Sequence, residues 1–291
     1  MARSLLRLVV PPGEIVKGRA LLRSKSGQLF DVLGLEPDSS ELRAVRGNEI
    51  SMIFQEPMTA FSPVHTVGFQ ISEMVAVHTS MTKRQIREYV EELLNRVGIS
   101  NPSQRFDEYP YQFSGGMRQR AMIAMALSCK PRIVIADEPT TALDVTIQAQ
   151  ILELMKELQQ QDNMSLVYIT HDLGVVAESV DRVYVMYLGR VVEMTTTERL
   201  FSAPQHPYTQ KLLRSIPQPG RRVDKLEVIE GSVPSAMDPP IQCPFFSRCP
   251  LAIPGKCDQA VPALVEVEEG HFVRCYLYSD ESEPEDEWTR V

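Results

Sequence analysis

Two short stretches of the sequence carry residues suited to binding phosphate and a metal ion. Ser114-Gly115-Gly116 opens a helical run, so its hydroxyl and backbone amides can meet an anion at a helix N-terminus. Further along, Asp137-Glu138 directly follows residues 132–136, an apolar run typical of a buried parallel strand. Ligands of open α/β sheets gather at the carboxyl ends of strands, so this acid pair is well placed for a metal-bound nucleotide.

Two other polar residues also close predicted strands. Residues 49–54 form a mostly apolar run that ends at Gln55, and residues 165–170 form another that ends at His171. A glutamine or histidine at such a position is ordinarily a satisfied polar residue with no chemical role. Position alone therefore assigns neither residue to the site.

The remaining periodicities predict the elements around these residues. Residues 117–130 are rich in Ala, Met, Leu and Arg and end before Pro131, which predicts a helix. Thr82 and Gln85 form a capping box before a second helix, which Gly98 ends. The apolar stripe of that helix is Ile86, Val90, Leu93, Leu94 and Val97. We also predict helices over 2–9 and 145–161, strands over 19–22 and 29–33, and a hairpin of 181–186 with 189–193.

Composition excludes several classes of protein. The chain has 291 residues, of which 43% are hydrophobic and 23% charged, as is usual for a globular protein. A net charge of −8 argues against a nucleic-acid-binding surface, which is normally basic. We find no apolar run of the ~20 residues that cross a bilayer, and no secretion signal. We therefore expect a cytosolic chain in which disulfides are rare.

Taken together, these motifs resemble the ATP-binding-cassette (ABC) ATPases. Ser114-Gly115-Gly116-Met117 resembles the signature loop, residues 133–138 the Walker B strand, and Ala142-Leu143-Asp144 the D-loop. Residues 46–68 resemble the Q-loop region of the peptide-transporter branch, and His171 resembles the switch histidine. Residues 206–213, HPYTQKLL, and the Cys- and Pro-rich segment after them are similar to the oligopeptide and dipeptide importer ATPases.

The resemblance implies a role for each site residue. Asp137 would hold Mg²⁺, Glu138 would be the base that polarises the attacking water, and His171 and Gln55 would sense the γ-phosphate. Ser114, Gly115 and Gly116 would donate to the ATP held by a second, head-to-tail ATPase subunit, and Asp144 would contact that subunit.

The resemblance also implies a fold and a division of the chain. The fold would be α/β, a P-loop NTPase-type ABC core that is incomplete at its N-terminus. Residues 1–67 would be a remnant of the core with the Q-loop, and 68–130 a helical subdomain with the signature motif. Residues 131–196 would return to the core with Walker B, the D-loop and the switch histidine. Residues 197–291 would form a Cys/Pro-rich extension with few long elements and a disordered acidic tail over 279–288.

The implied function is to energise an importer of di-/oligopeptides or related solutes with ATP and Mg²⁺. The partners would be two transmembrane permease subunits, a second ATPase subunit and, indirectly, an extracytoplasmic solute-binding protein, with no nucleic acid. The chain would lie peripherally at the cytoplasmic face of the plasma membrane. The competing hypothesis is a catalytically impaired or regulatory subunit that only donates its signature motif to a partner.

One departure from the family supports that alternative. The phosphate loop G-x-x-x-x-G-K-[ST] supplies a backbone cradle, a lysine and a metal-binding hydroxyl, and the sequence contains no such motif. The predicted helix over 2–9, followed by Pro11-Pro12-Gly13, resembles the helix that comes directly after this loop. We expect a mis-assigned start codon or a truncated gene, with a true loss of the loop as the alternative.

Four cysteines near the C-terminus are candidate metal ligands. Cys243, Cys249, Cys257 and Cys275 have the spacing C-x5-C-x7-C-x17-C, which does not match paired CxxC zinc sites. Four cysteines are the usual ligand set of an iron–sulfur cluster, and the resemblance to the peptide-importer branch favours a 4Fe–4S cluster here. Zinc and inert free thiols remain the alternatives.

Overall fold

Three short apolar strands form a parallel sheet near the middle of the chain. The computed structural model describes residues 2–56, 60–141, 143–215, 228–235 and 241–283. Several predictions lie outside these residues: Ala142 of the D-loop, part of the Q-loop region (57–59), Pro217, Pro219, Pro239 and Pro240 of the extension, and residues 284–288 of the acidic tail. The chain divides into two compact units, Met1–His171 and Asp172–Val291.

In the first unit the sheet has the order β3 (Ile50–Ile53), β4 (Ile133–Asp137), β5 (Ser165–Ile169). Both pairings are parallel, with Ile50 opposite Ile133 and Ile133 opposite Ser165. The middle of β4 is almost completely buried, which explains why its sequence is apolar on both faces. All three strands were predicted to within one or two residues. Because they are parallel, their carboxyl ends meet at one edge of the sheet.

Helices fill the rest of the first unit: α1 (Ala2–Leu5), α2 (Ser40–Val45), α3 (Val67–His78), α4 (Lys83–Arg96), α5 (Pro102–Phe106), α6 (Gly115–Leu127) and α7 (Val145–Asp162). A short hairpin, β1 (Leu21–Arg23) with β2 (Leu29–Asp31), lies near the N-terminus. The capping box at the start of α4 is confirmed, with Thr82 and Gln85 satisfying each other's backbone groups. The apolar stripe of α4 is buried as predicted.

Helix α3 contains a glycine that allows a close approach to Phe106. A Cβ atom on Gly68 would lie 2.3 to 2.5 Å from three atoms of the Phe106 ring, far inside van der Waals contact. We expect Gly68→Ala to lower the free energy of unfolding by about 1 to 3 kcal/mol, because the ring must move within a packed core. Chemical denaturation measures this loss. Adding Phe106→Leu should recover part of it, whereas a Gly68→Ala protein as stable as the wild type would contradict the close approach.

The second unit is built on an antiparallel sheet with the order β6 (Arg182–Tyr187), β7 (Arg190–Thr196), β9 (His271–Val273), β8 (Val265–Glu268). Strands β6 and β7 form the predicted hairpin, and Glu193 of β7 lies opposite Val273 of β9. The described helices here are short: α8 (Leu173–Ser179), α9 (Thr197–Ser202) and α10 (Pro207–Arg214). The extension (residues 197–291) therefore adds two strands, β8 and β9, to the sheet that contains the β6–β7 hairpin.

A buried carboxylate joins three parts of this second unit. Glu193 is fully buried, and it accepts hydrogen bonds from His271 Nε2 (2.8 Å) and from the backbone N–H groups of Gln205 and His206 (2.8 and 2.9 Å). Burial lowers the pKa of His206 to about 4, and its Nδ1 accepts from the N–H of Tyr208. These contacts attach the HPY segment (residues 206–208) and strand β9 to strand β7.

Candidate active site

The carboxylate of Glu138 is held by side chains from three parts of the first unit. Gln55 donates from Nε2 to Glu138 Oε2 at 2.9 Å, and Thr141 Oγ1 donates to the same oxygen at 2.8 Å. His171 Nδ1 lies 3.0 Å from Oε1. Gln55 and His171 follow β3 and β5, and Glu138 follows β4 between them, so the parallel sheet itself brings the three residues together.

Electrostatics favour the ionised form of this carboxylate. The hydrogen bonds from His171 and then Thr141 lower the pKa of Glu138, against a small opposing effect of burial. An ionised carboxylate can only accept hydrogen bonds. Thr141 and His171 are therefore the donors, and His171 donates from a protonated Nδ1. Glu138 is therefore a carboxylate at neutral pH, as a general base must be.

The backbone at Glu138 is unusual for a residue other than glycine. Its φ is 45°, in the left-handed region, and such a conformation costs on the order of 1 to 3 kcal/mol. Its N–H donates to the carbonyl of Ile169 at 2.8 Å, and its carbonyl accepts from the N–H of Thr141 at 3.1 Å. The neighbouring strand and the following turn thus hold a strained backbone at the point where the candidate base lies.

The Thr141 hydroxyl provides a direct test of this electrostatic environment. In a Thr141→Val protein the carboxylate loses one donor, so we expect the pKa of Glu138 to rise from its lowered value toward that of an ordinary glutamate. An NMR titration of the Glu138 side-chain carboxyl measures the change. Thr141→Ser keeps the hydroxyl and is the control. Equal pKa values in the valine variant and the wild type would show that the hydroxyl does not stabilise the carboxylate.

Asp137, predicted to hold Mg²⁺, is the last residue of β4 and is half-buried beside Glu138. Gln55 donates to Glu138 through its amide nitrogen, and its amide oxygen is an acceptor on an exposed residue. Carboxylate and amide oxygens are the donors that Mg²⁺ takes. The donor chemistry at this edge of the sheet therefore suits the predicted ion.

The predicted phosphate-binding residues lie at a different place, the start of α6. Ser114 is the N-cap, and its Oγ accepts from the N–H of Met117 at 3.3 Å. Ser114 and Gly115 are exposed. A Cβ on Gly115 would have its nearest neighbour, Leu143 Cδ2, at 4.0 Å, so internal packing does not require glycine there. Open backbone amides at a capped helix N-terminus are suited to an anion from outside the chain.

Asp144 is likewise exposed at a helix N-terminus. Its Oδ1 accepts from the N–H of Ile147 at 3.0 Å, which makes it the N-cap of α7. The structure thus brings Gln55, Glu138 and His171 together, and it places Asp144 and the Ser114-Gly115-Gly116 loop at exposed helix starts. Capping alone accounts for the local bond that each of Ser114 and Asp144 makes.

The metal centre predicted at the four cysteines is not supported by their arrangement. Cys243, Cys249, Cys257 and Cys275 are all free thiols, and each pKa shift among them is upward. Burial is the main cause, raising the pKa of Cys243 to about 11 and that of Cys275 to about 12, with the neighbouring thiols adding to it. Within the described residues no three His, Cys, Asp or Glu side chains are placed to hold one ion.

Two residues at the site were not singled out from the sequence. Thr141 was given no role, although its hydroxyl donates to Glu138. Gln119 lies in α6 and donates from Nε2 to the carbonyl of Pro139 at 2.6 Å, next to Glu138. No clear signal in the sequence marks Gln119, because arginines flank it on both sides.

Two parts of the chain match known protein families. The ABC transporter family profile matches residues 11–141, and that of the oligopeptide/dipeptide transporter C-terminal region matches 192–257. The oligopeptide transport ATP-binding protein AppD of Bacillus subtilis is 56% identical over 269 residues, which cover 92% of this chain and 80% of AppD. The dipeptide transport ATP-binding protein DppD of Escherichia coli is 50% identical over 242 residues, 83% of this chain and 74% of DppD.

Solved structures agree with the sequence relatives. A dimeric, post-hydrolysis state of the ATP-binding cassette MJ0796, bound to ADP and phosphate, aligns with a TM-score of 0.51 at 28% identity. The alignment covers 58% of this chain and 70% of that one. Within the part of the chain that the structure describes, no helix has both the length and the apolar character needed to span a bilayer.

Proposed function

The chain belongs to the ATP-binding proteins of oligopeptide/dipeptide ABC transporters, and from this membership we propose that it hydrolyses ATP to energise the import of di-/oligopeptides or related solutes. The observation that carries the proposal is the Glu138 carboxylate, held ionised by Gln55, Thr141 and His171 at the carboxyl edge of a parallel sheet. The names of the relatives support a peptide as cargo.

In the proposed mechanism Glu138 accepts a proton from the water that attacks the γ-phosphate of ATP. Asp137 would hold Mg²⁺, whose charge would offset that of the phosphates. Gln55 and His171 orient the carboxylate. Both side chains can also reach the γ-phosphate, and the exposure of His171 supports this contact. The lowered pKa of Glu138 keeps the base ionised before the proton is transferred.

We place the second half of each ATP site on a neighbouring ATPase subunit. Ser114, Gly115 and Gly116 of one subunit donate to the γ-phosphate of ATP held by the other, and Asp144 contacts that subunit. The exposure of Ser114, Gly115 and Asp144 supports this arrangement, since their own chain leaves them open to a partner. The second subunit is either a copy of this chain or a related ATPase.

The remaining partners are two transmembrane permease subunits and, through them, an extracytoplasmic solute-binding protein. The chain then lies peripherally at the cytoplasmic face of the membrane, with residues 68–130 as the helical subdomain, 1–67 and 131–196 as the ATPase core, and 197–291 as the extension. Co-expression with permease subunits of a peptide importer from the same organism tests this proposal. We expect co-purification and ATP-dependent peptide uptake by vesicles; failure of both would contradict it.

The alternative function is a subunit that donates only its signature loop. Its specific support is that the 291 residues contain no G-x-x-x-x-G-K-[ST] motif to cradle the phosphates. Under this alternative Glu138 faces no nucleotide, whereas Ser114-Gly115-Gly116 still completes the partner's site. Substitutions at the two places separate the hypotheses, as argued in the Discussion.

A further inference from the structure

Gln119 is a buried polar residue in the middle of α6. Gln119 is 2% exposed, and Ala121, Met122 and Ile123, which lie further along the same helix, are equally buried. A buried amide that lacks a partner is destabilising, so such a group is retained where it makes a specific bond. Here the bond is to the carbonyl oxygen of Pro139, at 2.6 Å from Nε2.

Pro139 directly follows the candidate base. Glu138 has a left-handed backbone, and its N–H is bonded to Ile169 on the side of β5. Proline has no N–H, so Pro139 can join a backbone hydrogen bond only through its carbonyl. Gln119 donates to that carbonyl from α6. The strained turn is thus held by hydrogen bonds before and after Glu138.

We propose that Gln119 is a positioning residue that fixes the Glu138 turn and ties it to the helix that carries Ser114-Gly115-Gly116. The amide lies five residues beyond Ser114, about 7.5 Å along the helix axis. When the start of α6 meets the partner's ATP, movement of α6 acts through Gln119 on the base of this chain's own site. The inference rests on the proposed function, because it assigns a role to Glu138 in ATP hydrolysis.

Gln119→Leu tests the inference, because leucine fills a similar volume but donates nothing to Pro139. Gln104→Leu is the matched control: Gln104 is exposed, and its side chain donates to Glu108, which lies just after the end of α5. ATP turnover is measured over a range of ATP concentrations on the assembled transporter, with thermal melting of the same samples. A displaced base can cost up to ~10²-fold in rate.

We expect Gln119→Leu to lower kcat about 10-fold or more while the KM for ATP changes by less than about 2-fold. Gln104→Leu should match the wild type in every measurement. A kcat for Gln119→Leu within about 2-fold of the wild type would overturn the inference.

Two further variants keep the outcome decisive. Gln119→Met has a flexible apolar side chain and is used if the leucine variant does not fold; failure of both to fold would make Gln119 a structural residue and overturn the inference. Glu138→Gln is measured in parallel. If it retains turnover, the proposed function fails. If it is inactive while Gln119→Leu is fully active, only the positioning role fails.

Discussion

Glu138→Gln is expected to reduce ATP turnover by the assembled transporter about 10²- to 10⁴-fold, the usual contribution of a general base. The glutamine amide has nearly the same shape and can still accept from Thr141, so folding and ATP binding should persist. What it lacks is the ionised carboxylate that Gln55, Thr141 and His171 hold in place. Phosphate release measures turnover, and equilibrium binding of labelled ATP measures affinity.

The matched control for this change is Glu153→Gln, on the exposed side of α7. It removes the same charge from the chain and should leave turnover unchanged. Near-normal phosphate release by the Glu138→Gln protein would remove Glu138 from the role of base and, with it, the mechanism proposed above.

Gly115→Asp is expected to reduce turnover on the order of 10²-fold, through the site that the partner subunit completes. The new carboxylate would lie where the loop approaches a phosphate, replacing attraction by repulsion and displacing donors whose single loss costs about 10²- to 10³-fold in other enzymes. The free space around Gly115 accommodates a Cβ atom. An acidic residue in the first turn of α6 favours the helix, so the protein should remain as stable as the wild type.

Gly115→Ala is the control for the side chain itself, since it adds a Cβ without charge. We expect it to retain more activity than the aspartate variant, and thermal melting to be alike for both. Wild-type turnover by Gly115→Asp would show that the loop does not face a nucleotide.

Together the two variants separate the function from its alternative. An ATPase with its own working site loses activity with either change. A subunit that only donates its signature loop is affected by Gly115→Asp and is indifferent to Glu138→Gln. Each variant is made in this chain alone, with the second ATPase subunit left as wild type.

Much of the fold followed from local patterns. The strands β3, β4 and β5 are short apolar runs with polar residues after them, and periodicity placed each within one or two residues. Helix α4 was equally clear, because its capping box and apolar stripe agree. In contrast, the pairing of β9 with β7 joins residues that are 80 positions apart, and no local pattern carries that information.

The features of the site likewise divide into those that the sequence predicts and those that depend on packing. Gln55, Glu138 and His171 could be selected because each matches a motif of the family that the sequence resembles. That they meet follows from the parallel strands they close, whose carboxyl ends lie at one edge. The left-handed backbone of Glu138 and the bond from Gln119 to Pro139 could not be predicted, because both depend on how α6 packs against the turn. The cysteine prediction rested on residue type alone, whereas ligation depends on directions that spacing does not give.

The central claim is that this chain has an ATP site of its own, and counting bound nucleotides tests it most directly. The assembled complex is saturated with Mg²⁺ and a non-hydrolysable ATP analogue, and bound nucleotide is counted per pair of ATPase subunits. We predict two nucleotides per pair. One nucleotide per pair would contradict the claim and establish a subunit that serves only its partner's site.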